Sequence, residues 1–116
     1  MLRAGEAQGK LDFCILHVCK SLLSLLMPFE KKGLCDQLQR AAVSIGSNIA
    51  EGCAKPSDAE FAKFLDTALG SSFEVETQLL IAKNAGYVSE GLFMSLIENV
   101  SEIERQIQGL IASIRQ

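Results

Sequence analysis

A regular stripe of apolar and small residues in the second half of the chain is the strongest constraint on its fold. The spacings alternate between four and three without a break, over Phe61, Leu65, Ala68, Ser72, Val75, Leu79 and Ala82. Side chains three and four positions apart lie on one face of an α-helix, so the stripe predicts a long amphipathic helix. Ser57 and Glu60 form a capping box before it, and Gly86 supplies a C-terminal stop.

Three further segments repeat this helical spacing. Their stripes are Leu11, Ile15, Val18, Leu22 and Leu25; then Leu34, Leu38, Ala41, Ala42, Ile45 and Ile49; and finally Leu92, Leu96, Val100, Ile103, Ile107, Leu110 and Ile114. The predicted helices cover residues 10–28, 33–52, 57–85 and 89–115, with Ser89 opening the last. Short linkers place consecutive helices antiparallel. The sequence therefore predicts an all-α, antiparallel up-down-up-down four-helix bundle, with residues 1–116 as a single domain.

Two glycines have expected structural roles. Gly52 follows the second stripe, where a left-handed helix cap would suit glycine. Gly70 lies inside the third predicted helix, in a run of small residues, where glycine costs about 1 kcal/mol relative to alanine. We expect close approach of a neighbouring helix to explain why a glycine is tolerated there.

Composition narrows the class of protein. With 48% hydrophobic residues in 116, the chain can bury a core. No segment reaches the roughly 18 apolar residues of a membrane span, and the first ten residues lack a signal peptide's apolar region. We expect a soluble, cytoplasmic protein. The net charge of −3 argues against strong generic binding of polyanions.

The apolar faces of two predicted helices are wider than one bundle seam requires. The surplus residues are Cys14, Leu16, Cys19, Leu23 and Leu26 in the first helix, and Phe93, Ile97 and Ile111 in the fourth. Surplus apolar surface usually marks an association site. The sequence favours self-association over the alternative of a thicker core.

One face of the second predicted helix is polar. Arg40, Ser44, Asn48 and Glu51 follow each other at spacings of four, four and three, and lie close to one side. A binding or catalytic constellation is one interpretation. We favour a structural or interface network that includes Glu74 of the third helix, because no evident base accompanies the serine. The alternative function is a small-molecule binder or an enzyme that uses this face.

Metal and cofactor chemistry have no support in the sequence. Glu98 and Glu102 lie on the fourth predicted helix, but a di-iron bundle needs Glu-x-x-His motifs and the chain has a single histidine, His17. No two cysteines form a Cys-x-x-Cys pair. We predict no metal, no cofactor and no enzymatic activity.

Candidate nucleic-acid contacts are limited to basic residues in two linkers. Lys31 and Lys32 lie in the first linker and Lys55 lies in the second. Nucleic-acid binding requires a basic patch or stripe. Such a patch would form here only if an oligomer gathered these lysines into a ring.

Two sequence blocks carry a family resemblance. Residues 39–52 read QRAAVSIGSNIAEG, and residues 64–76 read FLDTALGSSFEVE, followed by LLIAKNAGY at 79–87. Together they resemble the bacterial four-helix bundle proteins encoded in intervening sequences of 23S ribosomal RNA genes. The resemblance covers roughly residues 10 to 115.

The resemblance implies an antiparallel four-helix protomer that assembles into a homopentamer and has no established enzymatic activity. A related protein, the basic accessory protein of diversity-generating retroelements, binds nucleic acid and a reverse transcriptase, so association with RNA or DNA is the activity that the resemblance implies.

The sequence departs from the family pattern at three places. Gly46 replaces a frequent proline, Lys55 alone supplies the basic residues that often follow the Ala-Glu-Gly motif, and His17 and Cys19 lie where aromatic residues are common.

Overall fold

A computed structural model of the chain describes residues 32–115, and within that range the regular structure is entirely helical. Helix α1 spans Lys32–Cys53, α2 spans Asp58–Asn84 and α3 spans Glu90–Ile114. These helices correspond to the predicted segments 33–52, 57–85 and 89–115. The first predicted helix, residues 10–28, lies outside the described residues. None of the described helices is long and apolar enough to span a membrane.

The ends of α2 and α3 follow from local sequence. Ser57 is the N-cap of α2, and its hydroxyl oxygen accepts a hydrogen bond from the Glu60 amide at 3.2 Å. Ser89 caps α3 in the same way, accepting from the Leu92 amide at 3.2 Å. Both predicted starts are confirmed, since each side chain satisfies a backbone donor that the helix leaves unpaired.

Gly86 ends α2, as the sequence predicts. Its φ of 81° lies in the left-handed region, where glycine is favoured. The amide of Tyr87 donates to the Ala82 carbonyl at 2.9 Å, and the amide of Gly86 donates to the Lys83 carbonyl at 3.0 Å. This pair of bonds is the Schellman motif, which satisfies carbonyl groups in the last turn.

The predicted stripes form the core. All seven stripe residues of α2 are buried, including the hydroxyl-bearing Ser72. In α1 and α3 the stripes are also buried, except that Leu34, Leu92 and Ile114 at helix ends are partly exposed. The surplus apolar residues of α3 pack onto the same core: Phe93 is buried, and Ile97 and Ile111 are partly buried. On this helix the surplus apolar residues are explained by a thicker core, the alternative to self-association.

Helix α2 is the central element of the described structure. It packs against both α1 and α3, whereas the backbones of α1 and α3 do not come close to each other. The described residues thus form two consecutive helical hairpins that share α2.

The expected role of Gly52 as a left-handed cap is wrong. Gly52 lies inside α1, is buried, and does not have a positive φ. A Cβ atom added there would lie 2.8 Å from Phe61 Cδ1 and 2.8 Å from Phe64 Cβ. Glycine is required at this position because the start of α2 passes directly against the backbone at the end of α1.

The expectation for Gly70 is also not met within the described residues. Gly70 is exposed, and a Cβ added to it would meet nothing within 4 Å. Its neighbours Ala68 and Ser72 are buried, because they lie on the opposite side of the helix. The close contact between helices is therefore at Gly52.

Candidate functional site

The polar face of α1 contains a small hydrogen-bonded group at its contact with α2. The hydroxyls of Ser44 and Ser71 are 2.8 Å apart. The Asn48 side-chain amide donates to the Ser44 carbonyl at 2.8 Å and to the Ser44 hydroxyl at 3.0 Å. All three side chains are partly buried. The sequence predicted Ser44 and Asn48 as members of this cluster but did not identify Ser71, their partner on α2.

The charged members predicted for this cluster lie outside it. Arg40, Glu51 and Glu74 are exposed, and their side chains form no hydrogen bond or ion pair with another described residue. An open groove of about 670 Å³ runs beside Arg40 and is lined by Asp36, Gln39, Arg40, Val43, Ser44 and Ser47. Glu51 and Glu74 are not part of this groove.

The chemistry available at this face is limited. A serine nucleophile needs an adjacent general base. The polar partners of Ser44 are the Ser71 hydroxyl and the Asn48 amide, and neither group accepts a proton readily. Among residues 32–115, no three potential metal-ligating side chains converge. The geometry fits a structural contact between α1 and α2 better than a reaction centre.

The carboxylates proposed and rejected as di-iron ligands lie on the surface. Glu98 and Glu102 are exposed on α3. Glu102 Oε2 accepts from Arg105 Nη2 at 2.6 Å, and Glu102 Oε1 accepts from the Gln106 side chain at 3.1 Å. These hydrogen bonds favour the charged form of Glu102 and so lower its pKa, and the bond from Arg105 has the largest effect.

The candidate nucleic-acid contacts are far apart in the protomer. Lys32 begins α1 and Lys55 follows its end, so the 22-residue helix separates them by about 33 Å. Lys55 is exposed, with its Nζ 5.2 Å from the centre of the Phe64 ring. Lys31 lies outside the described residues. The backbone positions of Lys32 and Lys55 therefore lie at opposite ends of α1.

Five large apolar side chains are exposed on the three helices. They are Val43 on α1, Phe73, Leu80 and Ile81 on α2, and Met94 on α3. Phe73 and Leu80 are seven positions apart and share one face, and both are more than two-fifths exposed. The sequence did not single out these residues, because they lie off the core stripes.

A buried glutamate is the other feature that the sequence analysis missed. Glu104 of α3 is only 7% exposed. It follows Val100 by four positions and precedes Ile107 by three, so helical spacing alone places it on the apolar face. That spacing is the signal that could have identified it.

Comparison with known proteins decides the family. Residues 14–109 match the model of the 23S rRNA-intervening sequence proteins, which covers most of the chain. The chain belongs to the 23S rRNA-intervening sequence protein family. The resemblance seen in the two sequence blocks is thereby confirmed.

A solved structure shows the same fold. The crystal structure of a protein of unknown function from the S23 ribosomal protein family of Bacteroides thetaiotaomicron superposes with a TM-score of 0.78 at 22% identity. The match covers 96% of this chain and 99% of that one. No curated protein matches the chain. Neither the family description nor that of the solved protein names a catalytic activity.

Proposed function

We propose that this member of the 23S rRNA-intervening sequence family is a non-enzymatic, self-associating four-helix bundle, assembled as a homopentamer, that acts by binding other macromolecules. The observation that carries this proposal is the pair of large apolar side chains, Phe73 and Leu80, exposed on one face of α2. Exposed apolar patches often mark association sites. The cytoplasmic location expected from the sequence stays a prediction.

The packing of the described helices supports a fourth helix. Helices α1 and α3 both pack on α2, while their backbones do not approach each other, which is the relation between diagonal helices of a four-helix bundle. A fourth helix opposite α2 would contact both. The amphipathic segment at residues 10–28 has the spacing and length for that position.

The face that contains Phe73 and Leu80 provides a test of self-association. A double variant, Phe73→Glu and Leu80→Glu, places two charges on this face without altering the core. We expect it to elute as a smaller species by size-exclusion chromatography with light scattering, with an unchanged helical circular dichroism spectrum. Ser95→Glu, at an exposed position of α3, is the control and should behave like the parent chain. An unchanged mass for the double variant would remove this face from the interface.

Association with RNA or DNA is a second proposal. It is favoured by Lys55 and Lys63, which lie near the α1–α2 connection, are exposed, and form no ion pair with a described residue. A filter-binding assay at low salt should show affinity that falls as salt rises. Lys55→Glu should weaken that affinity, whereas Lys83→Glu, at a lysine already paired with Glu90, should change it less. Absence of binding at low salt would reject the proposal.

The alternative of an enzyme or small-molecule binder at the polar face of α1 has less support. Ser44 lines the groove beside Arg40, but its hydroxyl is already hydrogen-bonded to the Ser71 hydroxyl and the Asn48 amide. Native mass spectrometry of the purified chain tests this alternative. A co-purifying ligand that is lost in Arg40→Ala would favour it.

A further inference from the structure

The contact between α2 and α3 carries charged residues at three levels, which together we call the α2–α3 seam. Its members are Lys83 and Glu90 at one end, Ser72, Glu76 and Glu104 in the middle, and Asp66 and Arg115 at the other end. Opposite charges meet at both ends: Lys83 Nζ is 3.3 Å from Glu90 Oε1, and Arg115 Nη2 is 2.6 Å from Asp66 Oδ2. Only the middle level brings two carboxyl groups together.

Glu104 is buried without a full set of hydrogen bonds. Its Oε2 atom is inaccessible to solvent and has no hydrogen-bond partner among residues 32–115. The neighbouring Ser72 hydroxyl is fully buried and donates at 2.6 Å to the Leu69 carbonyl of its own helix. A buried carboxylate oxygen that accepts no hydrogen bond is costly, and neutralising the group removes much of that cost.

The charges around Glu104 do not compensate its burial. Among the described residues, Glu76 faces it from α2 and Arg105 follows it on α3. Arg105 Nη2 lies 2.6 Å from Glu102 Oε2, so its guanidinium is already paired. Burial is the largest cause that raises the pKa of Glu104, and the Glu76 carboxylate is the second. Together they raise it to about 7, although Ser72 and Arg105 oppose the increase.

We propose that the buried Glu104 carboxyl takes up a proton when the protein folds, which makes the α2–α3 seam a pH-responsive proton-binding site. The proton comes from solvent as the chain folds and neutralises the carboxyl group whose Oε2 atom is buried without a hydrogen-bond partner among the described residues. Deprotonation puts two negative charges in the seam, one of them buried. The proposal concerns a single protomer and does not depend on self-association.

The direction of the pH dependence follows from linkage. An unfolded glutamate titrates near its ordinary pKa of 4.5, whereas Glu104 in the folded chain titrates near 7. At pH values between these two, folding takes up a proton, so the folded state loses stability as pH rises. The loss is complete above about pH 7. It is absent below pH 4.5, where the group is protonated in both states.

Thermal unfolding of the full chain tests this proposal. Glu104→Gln keeps the shape of the protonated carboxyl and cannot ionise. We expect it to raise Tm by about 5 °C at pH 8, and to match the parent chain near pH 4.5. Glu98→Gln, at an exposed position of the same helix, is the control and should change Tm little at either pH. A Tm difference between Glu104→Gln and the parent that is equal at both pH values would overturn the proposal.

A spectroscopic titration tests proton uptake by Glu104 directly. The side-chain carboxyl carbon of Glu104, followed by ¹³C NMR in the folded chain, should titrate with a midpoint near pH 7. Glu76→Gln removes the neighbouring charge and should move that midpoint to lower pH. A Glu104 midpoint at or below 4.5 would contradict the proton site. A midpoint that Glu76→Gln leaves unchanged would contradict the contribution of the Glu76 charge to this site.

Discussion

At the scale of single residues, two positions show what helical spacing can and cannot predict. Spacing placed Ser72 in the core despite its hydroxyl, and the structure buries it fully. The same spacing gave no reason to place Gly52 against an aromatic side chain, because contact between helices depends on their crossing and not on either sequence alone. Ser71 was missed for this reason: its partner Ser44 is 27 positions away.

Gly52→Ala should lower the free energy of unfolding by about 1–3 kcal/mol, because the added methyl overlaps Phe61 and Phe64. The backbone of α1 or α2 must shift to admit it, since one of the contacted atoms is a Cβ. Gly70→Ala is the matched control, with open space around it, and should raise stability by about 0.5–1 kcal/mol. Urea unfolding of both variants measures these changes. Equal effects of the two substitutions would contradict this account of Gly52.

The Ser44–Ser71 hydrogen bond should appear as coupling between α1 and α2. Each serine-to-alanine change also alters helix propensity, so a double-mutant cycle is needed to isolate the pair. We expect a coupling energy of about 0.5–1 kcal/mol from urea unfolding of Ser44→Ala, Ser71→Ala and the double variant. Strictly additive effects would mean that the two hydroxyls contribute independently.

At the scale of elements, local chemistry explains why the helices begin and end where they do. Ser57, Ser89 and Gly86 act through bonds within a few residues of themselves, so their roles are readable from sequence. Gly52, near the end of α1, is different, because its role depends on the close approach of α2. Spacing likewise predicted only part of the polar face of α1: it brought Ser44 and Asn48 together, but it did not show that Arg40 and Glu51 are exposed.

Ser57→Ala should lower the free energy of unfolding by about 1 kcal/mol, because the Glu60 amide loses its acceptor at the start of α2. Ser57→Asp keeps an acceptor at the N-cap and places negative charge near the positive end of the helix dipole, so it should preserve stability. Chemical denaturation of the two variants at pH 7 measures the contrast. A loss as large in Ser57→Asp as in Ser57→Ala would show that the cap is not the cause.

At the scale of the whole molecule, the family and the helical class were readable from the sequence, whereas assembly requires surfaces to be known. The sequence assigned the surplus apolar residues of the last helix to an interface, but Phe93, Ile97 and Ile111 pack on the core instead. The exposed apolar residues are others, such as Phe73 and Leu80, whose positions beside the stripes give no signal in periodicity. Self-association therefore rests on a different set of side chains from the one that first suggested it.

Sedimentation equilibrium of the full chain at micromolar concentration is the most direct test of self-association. We predict a homopentamer of about 63 kDa, five times the 12.6 kDa chain. Another closed oligomer would correct the number of subunits but would still support self-association. A single species of 12.6 kDa across the concentration range would contradict self-association.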